Sequence, residues 1–214
     1  MKYILVLITT AMFMQGTFAK CPDLYPNGKT LEVSGTVELC NSWYVVRYDQ
    51  KNDRAVFASE KLKRVRADTP RESHFKSDKR VKNPISTGMY SNAGYDRGHL
   101  APAEDSPDET GMEESFLMTN VVPQDAKLNR IKWRMLESSI RKRANSDIIV
   151  ITGAIYQKDG KVLSKRVSIP SHMYKVVYYP WGVERFIAEN TPKSSVSKIT
   201  DIELERLTGI SFPK

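Results

Sequence analysis

Cysteine is scarce: the 214 residues hold only Cys21 and Cys40. Two thiols cannot build a disulfide-dense scaffold, and a chain of this length can bury its own core without one. Histidine is scarce too. His74, His99 and His172 are scattered, and with two cysteines they show no tetrahedral zinc spacing. Long apolar runs are missing beyond the N-terminus, and the mean hydropathy of -0.45 excludes a polytopic membrane protein. There is no internal repeat, low-complexity tract or long linker, so the length suits one domain. Acidic residues are in deficit. Lys and Arg total 33 against 25 Asp and Glu, a formal charge of +8, and the pI is about 9.4. Such a balance fits a polyanionic partner (nucleic acid, an anionic membrane or an acidic glycan) without choosing among them.

The chain opens with MKYILVLITTAMFMQGTFA. Lys2 precedes an apolar run over 3–14, then Gln15 and Gly16, then Thr17-Phe18-Ala19 with small residues at the -3 and -1 positions of a cleavage site. Charge, length and small-residue exit describe a secretory signal peptide over 1–19. The run is short of the roughly 20 apolar residues of a membrane span. Lys20 before Cys21 argues against lipid attachment at that cysteine. The expected mature chain, 20–214, is a single domain, secreted or periplasmic, with no membrane association. An exported chain with two cysteines favours a Cys21–Cys40 disulfide, contributing roughly 3 kcal/mol.

Residues 43–48 and 54–58 read as strands. The segment 61–93 is basic and rich in turn residues, and reads equally as a solvated loop or a phosphate-facing rim. Residues 116–122 form a strand or extended segment ending at Pro123. Over 128–143, Ile131, Met135, Leu136 and Ile140 make an apolar helical stripe. Residues 147–152 form a buried strand stopped by Gly153, and 173–179 another strand. A short amphipathic helix runs over 200–208 and stops at Gly209. Interleaved strands and helices imply an α+β or mixed α/β class.

Chemistry concentrates in Asp96-Arg97-Gly98-His99. A neutral imidazole can take a proton from water near neutrality. A guanidinium can hold a phosphate with forked donors, an aspartate can orient a neighbour, and a glycine admits backbone that a side chain would block. Taken alone, His99 favours a hydrogen-bonded structural residue. Downstream lie Thr119-Asn120-Val121-Val122-Pro123-Gln124, then Asn129, Glu137 and Arg141. In this order and spacing the residues resemble the DNA/RNA non-specific endonucleases, the ββα-metal or His-Me finger nucleases that include endonuclease G. Further similarity runs through 152–156 (TGAIY), 169–176 (IPSHMYKV), 189–192 (ENTP) and 202–209 (IELERLTG), and covers residues 43–212 overall.

The resemblance implies an α+β fold: a central antiparallel sheet, flanking helices and a ββα-metal active-site unit. It implies a Mg²⁺-dependent endonuclease (Mn²⁺ or another divalent cation being alternatives) that hydrolyses DNA and RNA to 5′-phosphate ends. His99 is then the general base and Asn129 the one direct protein ligand, suiting an ion that is hard and keeps most of its waters. Glu137 holds the metal's waters. The eight positions between Asn129 and Glu137 separate their α-carbons by about 12 Å and about 80° on a helix, too far for shared direct ligation. Asp96 organises the unit. Arg97 and an upstream arginine, Arg64 or Arg66, face the scissile phosphate. Asn120 positions the surroundings of His99 or the substrate, and Gln124 gives structural support or touches substrate. Arg141 orients Glu137 by an i, i+4 pair or binds phosphate. Lack of base preference follows if binding uses phosphates. Trp43, Trp133 and Trp181 could stack bases, though burial is the default for tryptophan. Two other readings remain at this point: a secreted nucleic-acid-binding protein without catalysis, and a phosphodiesterase acting on another anionic polymer or small ester.

Overall fold

A computed structural model describes residues 21–64, 68–72, 74–164 and 166–214. The apolar leader and Arg66 lie outside these. In chain order the strands and α-helices are β1 (Thr36–Cys40), β2 (Tyr44–Asp49), β3 (Arg54–Leu62), β4 (Tyr95–His99), α1 (Glu109–Ser115), β5 (Val121–Asp125), α2 (Arg134–Arg143), β6 (Ile148–Ile155), β7 (Val162–Leu163), β8 (Val167–Ser168), β9 (His172–Tyr179), β10 (Gly182–Glu189), β11 (Ser197–Lys198) and α3 (Asp201–Thr208). Seven strands form one sheet in the order β1-β2-β3-β6-β9-β10-β11, antiparallel throughout. This is the expected α+β architecture.

Side chains alternate across a strand, and the sheet uses both faces. On one face Val45, Phe57, Ile151, Tyr174 and Val176 pack against Leu24 and Tyr25 of the N-terminal segment and Leu204, Ile210 and Phe212 of the C-terminal one. On the other, Tyr44, Val46, Ala58 and Met173 pack against Leu100, Val122, Leu128 and Trp133. That second layer is a unit of its own: β4 and β5 form a two-stranded ribbon, and the helix follows directly. Strands buried on both faces explain the unbroken apolar run of β6.

Gly153 does not stop β6, which continues to Ile155. A Cβ at Gly153 would lie 2.1 Å from Cζ of Tyr174 on β9, so the glycine admits that ring rather than ending the strand. Segment 116–122 also differs from expectation. Met118–Asn120 is a 3₁₀ turn, and β5 runs through Pro123. A proline is tolerated there because the ribbon has only two strands and needs no outward donor. The helix begins as a π-helical turn, Leu128–Trp133, before α2. The wider turn brings Leu128, Trp133 and Ile140 into the core and leaves Ile131 and Met135 50% and 62% exposed, so the expected apolar stripe holds only at Leu136 and Ile140. Trp133 and Trp43 are buried, and Trp181 is exposed, stacked on Tyr179. In α3, Thr200 and Glu203 form a reciprocal capping box, and Gly209 closes the helix at φ +69°.

The Cys21–Cys40 disulfide is present, with α-carbons 6.1 Å apart. It fastens the N-terminal segment, which seals one sheet face, to the end of β1. Replacing both cysteines with serine is expected to lower unfolding free energy by roughly 3 kcal/mol. Urea titration of the two proteins checks this, and an unchanged midpoint would contradict it.

Candidate active site

The site is built on the β4–β5 ribbon and the helix after it. Ribbon register pairs Asp96 with Gln124, Gly98 with Val122 and His99 with Val121. Gly98 is required by packing: a Cβ would fall 2.3 Å from Oε1 of Gln124. Gln124 itself is 0% exposed. Its side chain fills the space beside Gly98, and it is not among the residues that line the cleft. Asn120 is likewise fully buried. Its Nδ2 donates to the carbonyls of Ala101 and Ser115, each at 2.9 Å, and its Oδ1 accepts from the Ala101 N–H at 2.9 Å. Its backbone carbonyl accepts from Leu100 N–H. Asn120 therefore clamps the turn directly after His99.

A cleft of about 490 Å³ opens between ribbon and helix, and His99, Arg97, Asp96, Asn129 and Glu137 all line it. The His99 ring lies between Phe75 and Phe116, with centroids 5.3 and 4.9 Å away. Its Nε2 is shut off from solvent without a hydrogen-bond partner, which leaves Nδ1 as the nitrogen available to the cleft. Burial, reinforced by the nearby Arg71 cation, pushes the His99 pKa down to about 3. The imidazole is thus neutral across the physiological range. An unfolded histidine protonates near 6.5, so between about 3 and 6.5 the unfolded state binds the extra proton. Stability falls as pH drops through that window and gains nothing from this group above it. In chelator, the unfolding free energy of His99→Leu should therefore change less between pH 7 and pH 4 than that of wild type. Parallel pH dependences would contradict the assignment.

Asp96 faces the helix. It accepts from Nδ2 of Asn129 at 2.9 Å and from Nε of Arg130 at 2.8 Å. Burial alone would raise the Asp96 carboxyl, but these donors outweigh it and hold the group below its ordinary value. A carboxylate can only accept, so the contact fixes the Asn129 amide with its nitrogen toward Asp96 and its oxygen without a hydrogen-bond partner among the described residues. Glu137, two turns on, is backed by buried Lys175, whose Nζ is 3.4 Å from Oε1. The same Nζ donates to Thr152 Oγ1 at 2.6 Å. Burial pushes Glu137 up to about 6, with Lys175 pulling down, Asp105 pushing up and Arg141 pulling down. Deeper still, Glu60 is buried with neither carboxyl oxygen hydrogen-bonded. Burial, then Asp105, pushes its pKa well above the carboxylate range.

The remaining residues sort differently from expectation. Arg141 pairs with neither Glu137 nor the cleft. Its guanidinium reaches Asp105 at 2.9 Å and Glu104 at 2.7 Å, tying α2 to the turn after β4. Arg64 does not line the cleft, and its backbone N–H donates to Asp147. Among the described residues the upstream cleft arginine is Arg71, which lies 5.5 Å over the Phe116 ring. It belongs to the basic segment 61–93, so the rim reading of that segment was the signal that could have found it. Arg130 and Arg134 also line the cleft and were not singled out from sequence. His74 pairs with Glu72, and His172 lines a separate depression. Among the described residues the one His/Cys/Asp/Glu cluster compact enough for a metal is Cys21, Glu38 and Cys40, and its sulfurs are bonded to each other.

A basic cleft whose walls are an antiparallel ribbon ending in histidine and a helix presenting an oriented asparagine defines a ββα-type nuclease site. A sequence profile of the DNA/RNA non-specific endonucleases matches residues 22–214. The chain belongs to that family, and the protein is an endonuclease that hydrolyses nucleic acids. It is 30% identical over 205 residues to Nuclease C1 of Cunninghamella echinulata var. echinulata, covering 79% of each chain. It is 33% identical over 153 residues to human mitochondrial endonuclease G, covering 63% of this chain and 52% of that one. The chain thus spans about half the length of the human relative. Its fold matches an endonuclease G chain solved in complex with EndoGI, with a TM-score of 0.72 and 26% identity over 82% of this chain and 84% of that one.

Proposed function

We propose that the protein cuts both DNA and RNA without base preference, using Mg²⁺, and leaves 5′-phosphate and 3′-hydroxyl ends. The observation that carries this reading is the Asp96–Asn129 contact. It leaves one neutral amide oxygen free in the cleft that also holds Glu137 and a neutral His99, and the oxygens of Asn129 and Glu137 suit a hard divalent cation. Asn129 Oδ1 would ligate the ion directly, and Glu137 would accept hydrogen bonds from its waters. When bound, the ion supplies charge stabilisation at the phosphate and the leaving oxygen.

His99 Nδ1 takes a proton from water as the water oxygen bonds to phosphorus. The bond from phosphorus to the 3′-oxygen breaks, and that oxygen leaves with a proton drawn from solvent. Arg97 and Arg71 offset the charge of the scissile phosphate. Arg97 is held for this by its Nη2 bond to the Thr87 carbonyl at 2.9 Å. Asp96 keeps the Asn129 amide from turning over. Contacts of this kind read phosphate and not base, which accounts for the absence of sequence preference.

The apolar leader over 1–19 and the Cys21–Cys40 disulfide support export to the periplasm or medium, with processing near Ala19.

The test is incubation of supercoiled plasmid and single-stranded RNA with purified protein, in Mg²⁺ or in chelator, followed by end-group labelling. Cleavage of both polymers only with metal, giving 5′-phosphates, is expected. Cleavage in chelator, or of small diesters alone, would overturn the reading.

A further inference from the structure

Four arginines line the cleft: Arg71, Arg97, Arg130 and Arg134. The carboxylates beside them are engaged, Asp96 by Arg130, Glu104 by Arg141 and Glu137 by Lys175. Arg130 is neutralised by its pair with Asp96. Arg71 and Arg97 belong to the His99 half of the cleft, where both lie over aromatic rings. Arg134 stands on the other wall, at the first residue of α2. It is exposed and makes no ion pair or side-chain hydrogen bond with any described residue.

Position separates Arg134 from a cation that merely solvates a helix. It follows Asn129 by five positions, one π-helical turn along the axis, with its backbone N–H donating to the Asn129 carbonyl. A single phosphodiester is already served by Arg97 and Arg71. A further unpaired guanidinium on the helix wall, displaced along the axis from Asn129, is placed for a different phosphate. Its forked donors match phosphate oxygens and carry no base information.

We propose that Arg134 anchors the backbone phosphate next to the scissile one, so that the cleft recognises a run of at least two phosphates. This rests on the nuclease reading above, which supplies the scissile position.

The experiment is a ligand ladder. Binding of thymidine oligonucleotides bearing one, two and four phosphates is measured by competition anisotropy in chelator, for wild type, Arg134→Ala, Arg134→Gln and Arg134→Lys. Thermal melts confirm folding. In wild type the second phosphate should strengthen binding, and Arg134→Ala should abolish that gain, roughly three- to tenfold. The one-phosphate affinity should not change. Lysine should restore part of the gain and glutamine none. The slope of log affinity against log salt on the longest ligand should fall by about 0.7 in Arg134→Ala. In Mg²⁺, KM for an oligonucleotide should rise with kcat preserved, while hydrolysis of bis(p-nitrophenyl) phosphate stays at the wild-type rate. An equal loss on one-phosphate and longer ligands would place Arg134 on the scissile phosphate and overturn the proposal. No loss on any ligand would make it a solvated surface charge and overturn it too. If wild type binds the ladder but cuts no polymer, the nuclease reading fails, while the anchor is still decided by the ladder.

Discussion

His99→Ala should lower kcat on plasmid DNA by about 10³-fold or more, in the upper range for loss of a positioned acid–base group. The imidazole is kept neutral by burial, so a ring lone pair is available at neutral pH. Its other ring nitrogen is buried between Phe75 and Phe116, which fixes the ring and directs one lone pair into the cleft. Because the group acts on water and not on the phosphate, KM should stay within a fewfold of wild type. Alanine leaves a space between two phenyl rings, so His99→Gln, closer in volume, is the companion variant. It should fold and remain as inactive. Steady-state kinetics on both variants checks this, and a loss below fivefold in both would remove His99 from the chemistry.

Asn129→Ala should cost a comparable amount, about 10³-fold in kcat/KM, because a metal in such a site contributes several kcal/mol to the transition state. Here the phenotype has a second part. The loss should ease as metal concentration rises, since Glu137 would still hold the waters of a bound ion. Asn129→Asp is not a conservative alternative. It removes the Nδ2 donor from Asp96 and sets two carboxylates side by side, so one must take up a proton or turn away. Rate against Mg²⁺ concentration for wild type and both variants measures these effects. An alanine variant with an unshifted metal dependence would contradict the assignment.

Much of this site was legible in the sequence because its chemistry sits in two short runs. Asp96 to His99 pair across one ribbon with Gln124 to Val121, Thr119 and Asn120 form the turn before it, and Asn129 lies in the first turn of the helix that follows. Local order carried that information. Roles that depend on packing were not legible. Asn120 and Gln124 look alike as polar residues, and only burial shows that one clamps the turn after His99 and the other fills the space beside Gly98. Arg141 has a helix partner at i-4 by spacing, yet the turn at Glu104 and Asp105 offers it two carboxylates. Arg71 lies in a basic segment with no periodicity, where nothing local separates it from Arg64. The fold behaved similarly. Apolar strands such as β6 and β9 were clear, as was α3 with its Thr200 cap and Gly209 stop. Ile131 and Met135 misled because a π-helical turn shifts the helix face, and a 3.6-residue period cannot register that shift. β10 reads as polar and mixed, because it is less buried than β9 beside it.

The central claim divides the work: His99 moves the proton and Asn129 holds the metal. The most direct measurement is Mn²⁺ affinity, by calorimetry or electron paramagnetic resonance, set beside plasmid cleavage for wild type, His99→Gln and Asn129→Ala. The account predicts that His99→Gln binds the ion as wild type does and cuts nothing, while Asn129→Ala loses affinity and activity together. Metal binding lost in His99→Gln and preserved in Asn129→Ala would contradict it.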